Sequence, residues 1–110
     1  MTAGSPSAAY YTTFTRRGLS SELVFESPDA ASNTARLHTL RAKAQLIEDH
    51  YAGALDWQEL PGRKSTRVAE YLPGADVTLE ENWDEYLAWL LDRQTRLRSA
   101  IAAAGGVPQP

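Results

Sequence analysis

Two hydrophobic rhythms alternate along this chain, one typical of strands and one of amphipathic helices. Tyr10-Tyr11-Thr12-Thr13-Phe14-Thr15 is built from aromatic and β-branched residues, and Glu22-Leu23-Val24-Phe25-Glu26 repeats that character after Arg16-Arg17-Gly18-Leu19. The two runs predict a hairpin whose connection spans several residues, with turn type and register open.

The rhythm then changes. Ser27-Pro28-Asp29 offers a capping hydroxyl, a proline at the first helical position and an acid in the first turn; Asn33 is an alternative start. Leu37, Leu40, Ala44, Ile47 and Tyr51 follow at spacings of three and four, one face of a helix that Gly53 would stop. A second strand-like pair spans Leu55 to Tyr71. In its first half Leu55, Trp57 and Glu59 alternate with Asp56, Gln58 and Leu60, and Pro61-Gly62 suits the centre of a type II turn.

Pro73-Gly74-Ala75-Asp76 breaks the chain before a last helix, for which two capping boxes compete, Thr78 with Glu81 and Asn82 with Glu85. Trp83, Tyr86, Leu87, Leu90, Leu97 and Ile101 form its apolar stripe. Glu80, Glu81, Asp84 and Glu85 gather at its start and Arg93, Arg96 and Arg98 toward its end, as the helix dipole favours. Gly105-Gly106 ends it.

The order is hairpin, helix, hairpin, helix. It predicts an α+β fold (ββαββα), a mainly antiparallel four-stranded sheet with two amphipathic helices on one face. Separate ribbons around the helices are the alternative. Small polar residues at 1–9 and the Gly/Pro-rich 105–110 read as flexible tails around a single domain at 10–104.

Composition narrows the function classes. The 110 residues suit one domain, and 43% hydrophobic with 23% charged is ordinary for a globular protein. The absence of cysteine excludes disulfides, thiolate nucleophiles and Cys-based zinc sites. A net charge of -3 argues against a generally basic nucleic-acid coat. No apolar run approaches the roughly 20 residues that span a bilayer, and no secretory signal opens the chain, so a cytoplasmic protein without membrane contact is expected.

Against this acidic background the cations stand out. Arg63, Lys64 and Arg67 surround one hairpin turn and Arg16 and Arg17 the other, five of 11 cations in all. Were both tips at one end of the sheet, they would form an anion- or nucleic-acid-binding patch, arginine supplying bidentate contacts to phosphate or carboxylate. The alternative is that they keep the hairpins soluble. Arg63, Lys64 and Arg67 therefore matter for binding only if Arg16 and Arg17 stand beside them.

The strand acids Glu22, Glu26, Glu59 and Glu70 raise a metal-dependent nuclease as a third reading, but no Asp followed by Glu-x-Lys at strand spacing supports it. His38 and His50 lie about three helical turns apart and cannot share a metal ion. No catalytic residue, metal ligand or cofactor is assigned. Trp83 and Trp57 read as core; Trp89 lies off the stripe and is the candidate partner-binding anchor, unless it covers the sheet edge beside Tyr86.

Leu55-x-Trp57-x-Glu59-Leu60-Pro61-Gly62, then Ser65-x-Arg67-Val68, then Trp83 and Trp89-Leu90 resemble the bacterial domain of unknown function 4268 family. Glu22-Leu23-Val24-Phe25 and the helix from Leu37 to Glu48 agree, so the resemblance covers about residues 10 to 102. Members typically carry this unit at the C-terminal end of longer proteins, often behind nuclease-like domains, in proteins suspected of roles in restriction or DNA repair. The resemblance implies an accessory binding module, linked to nucleic acid or phage defence. Because the unit fills this chain, its nuclease or methyltransferase partner would be a separate protein or another copy. The competing expectation is a protein-interaction or homodimerisation module that uses Trp89 or an exposed sheet edge.

Overall fold

A computed structural model describes residues 7–15, 18–59 and 64–109. Strands β1 (Ala8–Thr15) and β2 (Gly18–Phe25) are followed by helices α1 (Ala30–Arg41) and α2 (Ala44–Tyr51). Strands β3 (Asp56–Gln58) and β4 (Thr66–Pro73) come next, then a short 3₁₀ turn and helix α3 (Trp83–Ala103). The strands form one sheet in the order β1-β2-β4-β3, every neighbour antiparallel. The α+β class and the four-stranded antiparallel sheet are as expected. The helical count differs, because the first predicted helix is two.

The break at Ala42 and Lys43 could not be read from periodicity, since Leu37, Leu40, Ile47 and Tyr51 are all buried and keep one apolar face across it. Lys43 N–H bonds to Leu40 O, a tightened turn, and its ammonium reaches the Ala104 carbonyl at 2.8 Å. A cation there satisfies a carbonyl at the end of α3. The bend lets α1 lie over β4 while α2 packs on α3.

The helix ends also use residues other than those expected. Asp29 is the N-cap of α1, accepting the Ala31 N–H at 3.0 Å, while the Ser27 hydroxyl bonds to the Asp29 backbone just before it. Asn33 is a fully buried tie instead of a start. At the end of α2 it is Ala52, at φ 67°, that takes the left-handed position, not Gly53. Neither capping box forms: Asp76 accepts from the Thr78 backbone and hydroxyl, and Asn82 makes no cap. Gly105 and Gly106 do end α3 with positive φ, Gly106 N–H returning to Ile101 O at 2.9 Å.

The segment after α3 is held in place. Arg36, 2% exposed, donates from Nε to the Pro108 carbonyl at 2.9 Å and lies over the Phe25 ring, and Val107 packs on the core. Burial holds the Arg36 pKa below its ordinary value.

One face of the sheet carries Tyr10, Leu23, Phe25 and Val68 against Leu37, Leu40, Ile47, Tyr51, Leu97 and Ile101 from the helices. A smaller cluster at the other end joins Leu19, Ala75 and Leu90 to Phe14, Leu72, Tyr86 and Trp89. Trp57 packs against the main core, as expected. The opposite sheet face has no layer over it among the described residues, and α3 lies toward the β1 side of the sheet.

Candidate functional site

The register places the described flanks of the two cation-bearing connections. Thr15 and Gly18, which flank Arg16 and Arg17, pair with each other, and Gly18 pairs with Pro73; Thr66, just after Lys64, pairs with Phe25. The flanks of the two connections thus lie at opposite ends of the β2–β4 ladder, roughly 24 Å apart at about 3.4 Å per residue. Arg16, Arg17 and Arg63 lie outside the described residues, as does the expected Pro61-Gly62 turn. The described flanks stand apart, whereas a joint patch was expected only with both connections at one end.

Arg67 is committed elsewhere. Its Nη1 donates to Glu22 Oε1 at 3.0 Å, from β4 to β2 across the uncovered face. Glu22 is 5% exposed, and its other oxygen accepts the Ser20 hydroxyl at 2.5 Å. Ser20 in turn meets Thr13 Oγ1 at 2.6 Å. A buried carboxylate requires such partners, so the pair consumes the charge that a ligand would need. Lys64 is exposed, and its carbonyl accepts from Asn33 Nδ2 at 2.9 Å.

The strand acids do not converge. Glu22 faces Arg67, Glu26 accepts from the Tyr11 hydroxyl, Glu59 meets His38, and Glu70 on the helix side accepts from Tyr51 near Arg93. The Tyr51 phenol is held above its ordinary pKa by burial first and by the Glu70 contact second. Among the described residues no group of three or more His, Asp and Glu side chains could hold a metal ion. His50 is exposed and bonds to Ser99 at 3.1 Å.

Among the described residues, what the fold leaves unsatisfied lies on the β1 side. The two sheet edges are unlike: β3 is three residues long and carries Asp56, whereas β1 runs eight residues, Ala-Ala-Tyr-Tyr-Thr-Thr-Phe-Thr, with no charge, proline or glycine. Long uncharged edges invite pairing, and short or charged ones resist it. Beside β1, α3 exposes Trp83 (39%), Leu87 (53%) and Leu91 (72%), spaced by four residues along one flank. Tyr10, Thr12, Leu87, Leu90, Leu91 and Gln94 line a concavity of about 450 Å³ between strand and helix.

This surface corrects the sequence reading in one respect. Trp83 and Leu87 were expected inside; both are exposed, Trp83 meeting Phe14 edge-on and donating its indole N–H to Val77 O at 2.8 Å. Trp89, the expected anchor, is half-buried in the smaller cluster beneath Arg93. The signal missed was the first half of α3, where Trp83, Tyr86, Leu87, Trp89, Leu90 and Leu91 spread over about 200° of the helix, at 100° per residue. One packed face, roughly 100° wide, cannot cover so broad an apolar arc.

Among the described residues no helix is long and apolar enough to cross a membrane. No curated protein and no solved structure matches the chain. A family model described as a domain of unknown function does match, over residues 1–104. That match covers every element described above, from β1 to the end of α3, and the chain belongs to the DUF4268 family.

Proposed function

We propose that the chain is a protein-interaction module that docks through the β1 edge and the outer flank of α3. One observation carries this reading: an uncharged eight-residue edge strand stands directly beside an exposed Trp83-Leu87-Leu91 stripe. Strand addition supplies main-chain hydrogen bonds, and the stripe supplies apolar area at about 25 cal/mol per Å² covered. A photoreactive amino acid at Leu91, with Leu46 on α2 as a second exposed leucine for control, tests it in living cells. A protein adduct at Leu91 and none at Leu46 is expected; equal labelling or none at either position refutes it.

A second reading is favoured by the uncovered sheet face, where Tyr11 and Tyr71 are exposed. Aromatic side chains on such a face stack single-stranded bases in a sequence-tolerant way. The Glu22–Arg67 pair weighs against it, because phosphate affinity needs uncommitted cations. Binding of short single strands that weakens with salt and with Tyr71→Ala would support it; no binding at low salt would remove it.

A further inference from the structure

Resting on the docking reading, we infer that the partner is a second copy of this chain, joined β1 to β1 about a two-fold axis normal to the sheet. The two α3 helices then lie side by side and antiparallel. Three independent features of the surface are self-complementary in this arrangement.

The first is the ladder. Glu26 N–H bonds to Ser7 O at 2.8 Å, which makes residues 7 and 26 a hydrogen-bonded pair. Antiparallel pairs alternate, so the odd positions of β1 bond to β2 and the even ones, Ala8, Tyr10, Thr12 and Phe14, aim their backbone groups outward. One antiparallel self-pairing uses all four: Ala8 with Phe14 of the second copy, and Tyr10 with its Thr12. It is centred on Tyr11.

The second is the alignment of strand and helix. Phe14 touches Trp83 and Tyr86, whereas Tyr10 lies under Arg98, so α3 runs opposite to β1. Tyr11 therefore sits midway along β1 at the level of the concavity that Leu87, Leu91 and Gln94 line. An axis through Tyr11 passes close to Leu91, the most exposed large hydrophobic residue among those described.

The third is charge. Asp84 and Arg98 stand seven residues to either side of Leu91, and at 100° per residue they lie about 40° apart on the same flank of α3. Antiparallel contact about Leu91 places each Asp84 opposite the other copy's Arg98. The gradient of acids at the start and arginines at the end of α3 is thereby matched, and a parallel contact would oppose like charges. A C2 interface uses one patch twice, which is what these features supply.

The purified chain should sediment as a dimer at about 10 μM. Leu91→Arg places two arginines at the axis, and Thr12→Pro removes an outward N–H; each should weaken association at least tenfold with unchanged far-UV circular dichroism. Leu91 is exposed, so its replacement leaves the core intact. The register has its own probe, because the chain contains no cysteine. Tyr11→Cys puts two thiols at a cross-strand pair with Cα atoms about 4.5 Å apart, within disulfide range. Thr13→Cys sets its own equivalent roughly 14 Å away, out of range. Rapid covalent dimerisation of the first variant and not the second supports the arrangement. A strict monomer at 100 μM, or faster cross-linking at Thr13, overturns it. A monomer whose Leu91 adduct in cells is a different protein overturns the second copy alone and leaves the docking reading standing.

Discussion

Replacing Asn33 tests how the two halves of the fold are tied together. Asn33 is fully buried. Its Oδ1 accepts the Ser27 N–H at 2.9 Å, and its Nδ2 donates to the Ser27 and Lys64 carbonyls, each at 2.9 Å. One side chain thus joins the approach to α1 with the approach to β4. Asn33→Ala removes three hydrogen bonds, each contributing about 1 kcal/mol net, for a loss of about 3 kcal/mol. That is a large share of the roughly 5–15 kcal/mol that stabilises a domain. Asn33→Asp distinguishes this geometry from a simple volume effect. It keeps the acceptor but turns an ionised oxygen toward two carbonyls, so it should cost more than Asn33→Ala at neutral pH. Because those dipoles raise the carboxyl's folded pKa, the penalty is full above that value and falls away as pH drops toward the unfolded value, about 3.9. Urea denaturation at pH 7 and pH 4 measures both. A loss under 1 kcal/mol for Asn33→Ala, or an aspartate variant as stable as wild type at pH 7, would refute the tie.

Three further outcomes follow from local geometry. Ala52→Gly should stabilise by about 0.5–1 kcal/mol, since Ala52 holds φ 67° at the end of α2; a lowered thermal midpoint would contradict this. Gly18→Ala should destabilise by about 3 kcal/mol, because Gly18 has φ 135° and a Cβ there would lie 2.5 Å from the Leu72 carbonyl oxygen, and chemical denaturation would show it. Finally, the hydrogen bond from His38, then its charge, hold the Glu59 carboxyl below its ordinary pKa. The pair's contribution is present above the unfolded carboxyl pKa and is lost as pH falls through the lower folded value. The Glu59 titration midpoint, followed by NMR, should rise in His38→Ala; an unchanged midpoint would count against the contact.

The elements were legible because their signals are local. Aromatic and β-branched runs mark β1 and β2, the Leu37-to-Tyr51 spacing marks the first helical stretch, and Gly105-Gly106 marks the end of α3. The cation patch was not legible, since it depends on which ends of the sheet the connections share. Arg67's partner Glu22 lies 45 residues earlier in the chain, beyond any window of periodicity. The same limit applied to Trp83, Leu87 and Trp89, whose exposure depends on which flank of α3 the sheet reaches.

The sequence alone thus determined the class of fold and the order of its hairpins, because backbone preference and hydrophobic period act over a few residues. The strand order β1-β2-β4-β3, the pairing of Arg67 and the bare flank of α3 were decided by tertiary packing. An edge is an edge only once every strand has chosen its neighbours, and a leucine is exposed only when no other element arrives to cover it.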